Sequence, residues 1–375
     1  MSKNITYLLG AGASFHSIPI VSTMNERMLL FLNMLDNYRK HDHDRIKGNV
    51  EYGSLIKLPE LYNNLDYTSF NKYKVVVNEA INHYTVDTYA RKLWLQDNDQ
   101  KLSLLKEFLC LYFAFEQSSI SSKLLCGTPP DHKNVEPYIK YWDHIKRSLD
   151  YRYDVFMASL LDREMSLPPE VSIISWNYDY QLELAYMNFA DCSIDEAIKK
   201  LSIYPGLNVQ AHRAKIIKLN GSAMQMGYPD LNEDDRNLWT VSSTDEHDCY
   251  KVALNELFGR HKHIWDKSEH LINFAWEDRK YQKKAIKRAK EVINNTQELI
   301  VIGYSFPNFN KKIDAELFSG VTRAKYRIKV QCGINDYESI GENIRSLGGF
   351  IRNADIEFVK NIDQFYIPAY HLINS

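Results

Sequence analysis

The sequence predicts an α/β fold with a mostly parallel sheet, on the strength of three observations. A short apolar run, Ile5–Leu9, leads directly into the glycine turn Gly10-Ala11-Gly12, as a buried parallel strand does before its crossover. Beyond residue 166, apolar strand-like runs alternate with helical segments. Between these two parts lies a long stretch with helical periodicity. Together they predict a Rossmann-like sheet with helices on both faces and a large all-helical insertion after the first strand.

Each predicted strand is a short run that is rich in aliphatic or aromatic residues. Val171–Ser175, for example, follows the breaker pair Pro168-Pro169. Charged helices are predicted at Glu277–Asn294, between the fourth and fifth strands, and at Phe309–Phe318, after the fifth. The predicted strands are Ile5–Leu9, Val171–Ser175, Ala214–Leu219, Leu271–Phe274, Glu298–Ile302, Tyr326–Gln331 and Ile356–Val359.

Residues 25–165 carry apolar side chains at helical spacing and contain no convincing strand. Lys101–Phe115 is apolar on more than one face, which predicts a deeply packed helix. We therefore predict a Rossmann-like domain made of residues 1–24 and 166–375, and a helical insertion of residues 25–165. A second apolar stripe of the insertion recurs at helical spacing over Tyr138, Trp142, Ile145, Leu149, Phe156 and Leu160.

Composition narrows the function classes. The 375 residues include 46 Lys plus Arg and 48 Asp plus Glu, a net charge of −2, and a duplex-DNA binder would be basic. The longest apolar runs are far shorter than the ~20 residues that cross a bilayer, and no signal-peptide core is present. These features predict a cytoplasmic protein without membrane contact or direct nucleic-acid binding.

The five cysteines are scattered through the chain at positions 110, 126, 192, 249 and 332. No two form a Cys-x-x-Cys pair, which excludes zinc ribbons and thioredoxin-type redox chemistry. We interpret them as small buried hydrophobic residues, and we predict no metal site.

The turn after the first predicted strand suits phosphate binding. Glycines let the backbone approach a pyrophosphate, and amides at a following helix N-terminus would bind it, which makes Gly10, Ala11, Gly12, Ala13 and Ser14 candidate contacts. The dinucleotide fingerprint is partial, because Phe15 stands where a third glycine is expected and no acidic ribose reader follows about 20 residues on. A tight strand–helix turn without a ligand remains the alternative.

Four further polar or glycine turns follow predicted strands. Asn177 and Asp179 follow the second strand, where the alternative is a helix cap. Asn220 follows the third, and Asn335 follows the sixth. Because carboxyl ends of parallel strands meet at one edge, the five turns predict a nucleotide pocket there. The turn that follows the fifth strand contributes Gly303 and Ser305.

This ordered set resembles the sirtuin-like NAD-binding family, especially its bacterial branch of NAD-cleaving effectors in anti-phage defence. The resemblance covers roughly residues 1–24 and 166–360. It implies that the segment from Gly10 to Ser14, with Ile18-Pro19, forms the opening phosphate loop, and that Asn177-Tyr178-Asp179 is the family's Asn-Tyr-Asp motif, whose Asn is catalytic. It also implies that the turn Gly303–Pro307 lies near the phosphates and ribose, and that Asn335 lies near the ribose or adenine.

Two departures from the family bear on the chemistry. The zinc ribbon of its protein deacetylases is missing, so lysine deacylation is not expected. The family's third motif has a catalytic His before its Gly, whereas this chain has Asn220 before Gly221. Loss of a general base typically costs ~10²–10⁴ in rate. An Asn can still orient water, and His16 and His212 are the other candidate bases.

The resemblance implies an NAD glycohydrolase, with NAD as substrate and no metal, that depletes NAD during infection. Such effectors act as oligomers and are switched on by assembly or by a partner such as a ring-shaped ATPase or an Argonaute. The alternative is a catalytically silent subunit that binds NAD or ADP-ribose as a scaffold or sensor, which Asn220 favours. A nicotinamide-dependent oxidoreductase is a weaker third hypothesis, because the third glycine and the acidic ribose reader are missing.

Overall fold

The computed structural model describes residues 3–20, 23–33, 67–117, 149–206, 209–223, 225–227, 238–240, 269–270, 272–274, 276–277, 279–322 and 326–369. A seven-stranded, all-parallel sheet with helices forms its centre, which confirms the predicted α/β class. The strand order is β10-β9-β8-β1-β2-β4-β3. These strands are β1 Ile5–Leu9, β2 Val171–Ser175, β3 Ile203–Tyr204, β4 Ile216–Lys218, β8 Glu298–Ile302, β9 Arg327–Gln331 and β10 Asp355–Val359.

A second, antiparallel sheet has three short strands: β5 Gln225–Gly227, β6 Leu238–Thr240 and β7 Glu269–His270. Among the described residues, no helix is long and apolar enough to cross a membrane. The helices are α1, residues 23–33, then α2 Tyr67–Ala80, α3 Val86–Leu95, α4 Asp99–Glu116, α5 Tyr151–Leu160, α6 Gln181–Ala190, α7 Ile194–Lys200, α8 Lys280–Asn295, α9 Lys311–Phe318 and α10 Tyr337–Arg345.

The direction of strand addition reverses at β1. The chain adds β2, β4 and β3 on one side of β1, and β8, β9 and β10 on the other. Right-handed crossovers that run in opposite directions place their helices on opposite faces of the sheet. All five residues of β1 and all five of β8 are buried, as expected for central strands covered on both faces.

The described parts of the predicted insertion, between β1 and β2, are helical. Lys101–Phe115 lies within α4, where every residue from Phe108 to Glu116 is buried, which confirms the deep packing predicted there. Arg27 of α1 forms a bidentate ion pair with Glu116 of α4, at 3.0 Å for both contacts. Of the predicted apolar stripe, Tyr138, Trp142 and Ile145 lie outside the described residues, while Phe156 and Leu160 are buried in α5.

One predicted strand is wrong. Residues 272–274 have no strand structure, and the nearby strand β7 ends at His270 in the antiparallel sheet. Ile272 and Phe274 are buried all the same, so their apolar character reflects burial of an irregular segment. The two-residue edge strand β3 and the antiparallel sheet were not predicted, because strands of two or three residues carry no measurable alternation.

Candidate functional site

Five turns meet at one edge of the parallel sheet, as predicted. The strands β9, β8, β1, β2 and β4 are consecutive neighbours, and the candidate residues follow their carboxyl ends. Leu9 is paired with both Ser175 and Ile302, and Ser175 is paired with Lys218, so the strand ends stand level. The level ends place Asn177, Asn220 and the glycine turns side by side.

The turn after β1 packs backbone against backbone on the turn after β8. The Gly10 amide donates to the carbonyl of Ile302 at 3.0 Å, and the Gly12 amide donates to the carbonyl of Gly303 at 2.9 Å. A Cβ on Gly10 would lie 2.7 Å from the Gly303 oxygen, and a Cβ on Gly303 would lie 2.2 Å from the Ala13 nitrogen. Residues Ala11–Ser14 form a 3-10 turn, and no long helix begins there. The close packing of the backbone therefore requires glycine at these positions whether or not a ligand binds.

A buried arginine, Arg152, binds the backbone of this turn. Arg152 donates to the carbonyl oxygens of Ala13 at 2.8 Å and of Gly12 at 3.3 Å. Its guanidinium also forms an ion pair with Asp150. The Asp150 carboxylate in addition accepts a hydrogen bond from the His16 amide at 3.2 Å. Both members of the pair are at most 3% exposed. The segment just before and inside α5, which we assigned to the insertion, thus shapes the predicted phosphate loop.

Asn177 has a fixed amide orientation. Its Nδ2 donates to the carbonyl of Gly10 at 3.0 Å and to Ser14 Oγ at 3.2 Å. A carbonyl only accepts hydrogen bonds, so the nitrogen must face Gly10. The hydrogen bonds of Asn177 to other described residues leave its Oδ1 unused, and the residue is 8% exposed. Asn177 therefore offers one hydrogen-bond acceptor at the carboxyl end of β2.

Asp179 lies in the same buried network. Its Oδ2 accepts from Ser14 Oγ at 2.8 Å and its Oδ1 from the Gln181 amide at 3.2 Å. Because the Ser14 proton is directed at Asp179, the Tyr153 hydroxyl, 2.9 Å away, donates to Ser14. Burial raises the pKa of Asp179, while the Lys218 ammonium opposes this rise. The structure thus brings together Gly10, Ser14, Asn177 and Asp179.

Two contacts outside the site fix the position of the Asn177-Tyr178-Asp179 segment. Lys218 donates to the Asp179 carbonyl at 2.8 Å and pairs with Glu183 at 2.5 Å, with both side chains about 1% exposed. The Tyr178 hydroxyl donates to Asp87 of α3 at 3.1 Å. Burial raises the pKa of Asp87 to about 6, although this hydrogen bond lowers it. The helices before β2 therefore contact the Asn-Tyr-Asp segment directly.

Asn220 lies at the end of β4 and is also oriented by a main-chain carbonyl. Its Nδ2 donates to the carbonyl of Trp176 at 2.8 Å, so that Oδ1 points the other way. This oxygen is buried and has no hydrogen-bond partner in the described part of the chain. The next residue, Gly221, has a φ of +72°, which favours glycine. Asn220 cannot take up a proton at neutral pH, but its free oxygen can accept a hydrogen bond.

The two histidines that we considered as substitute bases are placed differently. His212 is exposed in the turn Ala211–Arg213, which precedes β4. It therefore lies at the amino end of β4, whereas Asn220 follows the carboxyl end. His212 cannot act as a base beside Asn220. His16 is close to the phosphate loop, but its ring packs between Phe15 at 3.9 Å and Tyr151 at 5.2 Å. These ring contacts hold His16 as a packed side chain.

The outer turns of the edge are more open. Ser305 is exposed, and its carbonyl accepts from Asn343 at 3.0 Å. Asn335 is exposed in the short turn Ile334–Asp336 after β9. Between them and the centre, the Tyr304 ring stacks on Trp176 with centroids 5.7 Å apart. Polar side chains at Ser305 and Asn335 are thus available to solvent or to a ligand that lies across the edge.

Four residues of this region were not predicted from the sequence: Asp150, Arg152, Tyr153 and Asn273. The first three stand in Asp150-Tyr151-Arg152-Tyr153, where an Asp before a helix was readable as a cap, but its long-range partners were not. Asn273 interrupts an apolar run, which was the available signal. Within the described part of the chain, no three His, Cys, Asp or Glu residues are grouped closely enough to hold a metal ion.

Comparison of the sequence with protein-family models finds no matching model, and comparison with curated proteins finds no matching sequence. The function therefore has to be argued from the residues at the sheet edge.

Proposed function

We propose that this chain is a sirtuin-like NAD glycohydrolase, which binds NAD across the carboxyl edge of its sheet and releases nicotinamide and ADP-ribose. The observation that carries the proposal is the orientation of Asn177. With Nδ2 bound to Gly10 and Ser14, its Oδ1 is left as an acceptor at the end of a central strand. Such an acceptor suits a ribose hydroxyl or a water molecule, which both donate hydrogen bonds.

The reaction has modest demands on acid–base groups. The bond between the ribose C1′ and the pyridinium nitrogen breaks, and its electron pair neutralises the ring, so no proton donor is needed. Water forms the new bond to C1′ and releases a proton to solvent. The positive charge that develops on the sugar is stabilised by oxygens oriented in advance, a role that fits Asn177 Oδ1 and the Asp179 carboxylate.

The neighbouring turns suit the rest of a dinucleotide. Four strand spacings separate β9 from β4, about 19 Å at the usual distance between strands. Ligands of open α/β sheets bind where the strand order reverses, which here is at β1 and β8, the strands followed by Gly10–Ser14 and Gly303. Ser305 and Asn335 would contact the phosphates, ribose or adenine beyond that point.

A second candidate function is favoured by Asn220. A silent NAD-binding or ADP-ribose-binding subunit needs an intact pocket and no base. Asn220 is an amide, His212 is at the other end of β4, and His16 is packed between two rings. In the glycohydrolase proposal, the water is oriented rather than deprotonated, and turnover is correspondingly slow.

We propose a wider role from the resemblance alone. In this role the protein is a cytoplasmic effector that depletes NAD during phage infection. It acts as a homo-oligomer and is activated by assembly or by a partner such as a ring-shaped ATPase or an Argonaute.

Nicotinamide release from NAD, measured by chromatography on the purified protein, tests the proposal. We expect slow release that Asn177→Ala abolishes and that Asn188→Ala, a change at an exposed amide of α6, leaves unchanged. Calorimetry separates the remaining outcomes. NAD binding without release would support the silent subunit, and no binding at millimolar NAD would refute the pocket itself.

A further inference from the structure

A group of buried polar atoms beside Asn220 has no hydrogen-bond partner among the described residues. It comprises Asn220 Oδ1, the side-chain atoms Oδ1 and Nδ2 of Asn273, and the hydroxyl of Tyr281, which lies close to the Asn273 side chain. The two asparagines are adjacent, since the Asn273 amide donates to the Asn220 carbonyl at 2.9 Å. Asn273 is fully buried, and Asn220 is 7% exposed. Buried side-chain amides are normally paired, so this group indicates a polar guest.

The segment that carries Asn273 is held in place by its neighbours. The Phe274 amide donates to Glu277 at 2.7 Å, and the Phe274 carbonyl accepts from Gln282 at 3.0 Å. Ile272 and Phe274, on either side of Asn273, are buried apolar residues. An amide in such an apolar wall cannot turn to solvent, and the backbone bonds prevent the segment from moving aside.

The hydrogen-bonding inventory of the group matches one water molecule. The two Oδ1 atoms accept, and Asn273 Nδ2 can donate to the guest or to the Tyr281 hydroxyl. Water has two donor hydrogens and two lone pairs. A water that donates to both oxygens keeps at least one lone pair free, even when it also accepts from Nδ2. An alcohol, with a single donor hydrogen, would leave one of the oxygens unsatisfied.

We propose that Asn220 and Asn273 hold the attacking water of the hydrolysis, an inference that rests on the glycohydrolase function proposed above. Ser175 and Lys218 are paired in register, and Asn177 and Asn220 each follow two residues later. Asn220, which binds this water, therefore follows the strand next to that of Asn177, about 5 Å away. The free lone pair attacks C1′ as the bond to nicotinamide breaks, and one water proton passes to solvent. Asn273 acts as a positioning residue.

Asn273→Leu tests this role, because leucine has a similar volume and removes both polar atoms. We expect kcat for nicotinamide release to fall ~10²-fold while KM stays within about twofold, as for other losses of transition-state positioning. The unfolding temperature should stay within about 3 °C or rise, since a buried amide and the water it binds are replaced together by an apolar side chain of similar volume. Asn273→Asp, which keeps the acceptors, should restore kcat. Asn188→Leu is the control at an exposed amide.

Methanol as a competing nucleophile gives a second measurement. The ratio of methyl ADP-ribose to ADP-ribose should rise in Asn273→Leu, because the apolar site no longer selects water. An unchanged kcat and ratio, or a parallel loss of kcat and unfolding temperature without rescue by Asn273→Asp, would overturn the inference but leave the glycohydrolase standing. Absence of nicotinamide release from the starting protein and from Asn220→His would overturn both.

Discussion

The Gly12 amide donates a hydrogen bond to the carbonyl oxygen of Gly303 at 2.9 Å. The predicted phosphate loop and the turn after β8 are therefore one packed unit. The residues that resemble a family's phosphate-binding glycines are already required by this contact. Their presence alone says little about ligands, and the functional argument has to come from polar side chains such as Asn177.

Replacement of Gly303 should destabilise the fold strongly. Gly303 has a φ of +62°, and an added Cβ would lie 2.2 Å from the Ala13 nitrogen. We expect Gly303→Ala to lower the free energy of unfolding, measured in urea, by about 2–4 kcal/mol. Gly348→Ala is the matched control, because Gly348 has a φ of +77° and nothing within 4 Å of the added carbon. It should cost about 1 kcal/mol, and equal losses would disprove the packing argument.

The buried pair of Arg152 and Asp150 should behave as a coupled unit. Arg152→Leu leaves a fully buried carboxylate without its cation, which typically costs about 3–5 kcal/mol. Asp150→Asn in the same chain removes that charge. The double variant should therefore be more stable than the sum of the two single losses predicts, by about 1 kcal/mol or more. Strict additivity in urea unfolding would show that the ion pair does not hold the loop.

Asp314 should make stability depend on pH. Burial raises its pKa to about 8, although the Tyr304 hydroxyl, which donates to it at 2.8 Å, opposes the rise. In the unfolded chain the carboxyl titrates near 3.8, so between about pH 4 and pH 8 the folded state holds a proton that the unfolded state has lost. The contribution of Asp314 to the free energy of unfolding thus falls as pH rises through this window.

Asp314→Asn removes that titration. From pH 5 to pH 8 we expect the variant to lose roughly 2–4 kcal/mol less stability than the starting protein. Asp363→Asn, at an exposed carboxyl, serves as the control. Parallel pH profiles for Asp314→Asn and the starting protein would mean that the buried carboxyl is ionised in the folded state.

The parallel sheet was predictable because its central strands are buried on both faces. Ile5–Leu9, Val171–Ser175 and Glu298–Ile302 are short, mainly apolar runs, and the structure has the same bounds for all three. Leu271–Phe274 was predicted from a similar apolar signal, but its described residues, 272–274, are irregular, because burial and strand pairing are separate properties. Ile203–Tyr204 pairs with β4 over two residues, too few for any pattern.

The level placement of the polar turns was also predictable, since it follows from parallel strands that end together. What each side chain binds was not. Asn177 depends on Ser14, which is 163 positions away, and the loop at Gly12 depends on Arg152, which is 140 positions away. Asn273 is adjacent to Asn220 through one backbone hydrogen bond of an irregular segment. Such partners depend on tertiary packing, which leaves no local pattern in the sequence.

Asn220→His should create a general base. The Asn220 Nδ2 donates to the carbonyl of Trp176, and Nδ1–H of an introduced imidazole can make the same bond. Its Nε2 would then be the unprotonated nitrogen, on the side where Asn220 Oδ1 has no partner among the described residues. We expect nicotinamide release to increase by ~10² or more, with an activity that rises with pH through about 6.5 as the imidazole loses its proton.

The control for this gain is Asn177→Ala in the Asn220→His chain, which should remove the added activity because the base would have no oriented substrate. Chromatographic assays at several pH values measure both effects. Unchanged release in Asn220→His, with NAD binding intact by calorimetry, would mean that the imidazole at this position does not face the anomeric carbon. The carboxyl end of β4 would then be a binding surface only, as the silent-subunit hypothesis requires.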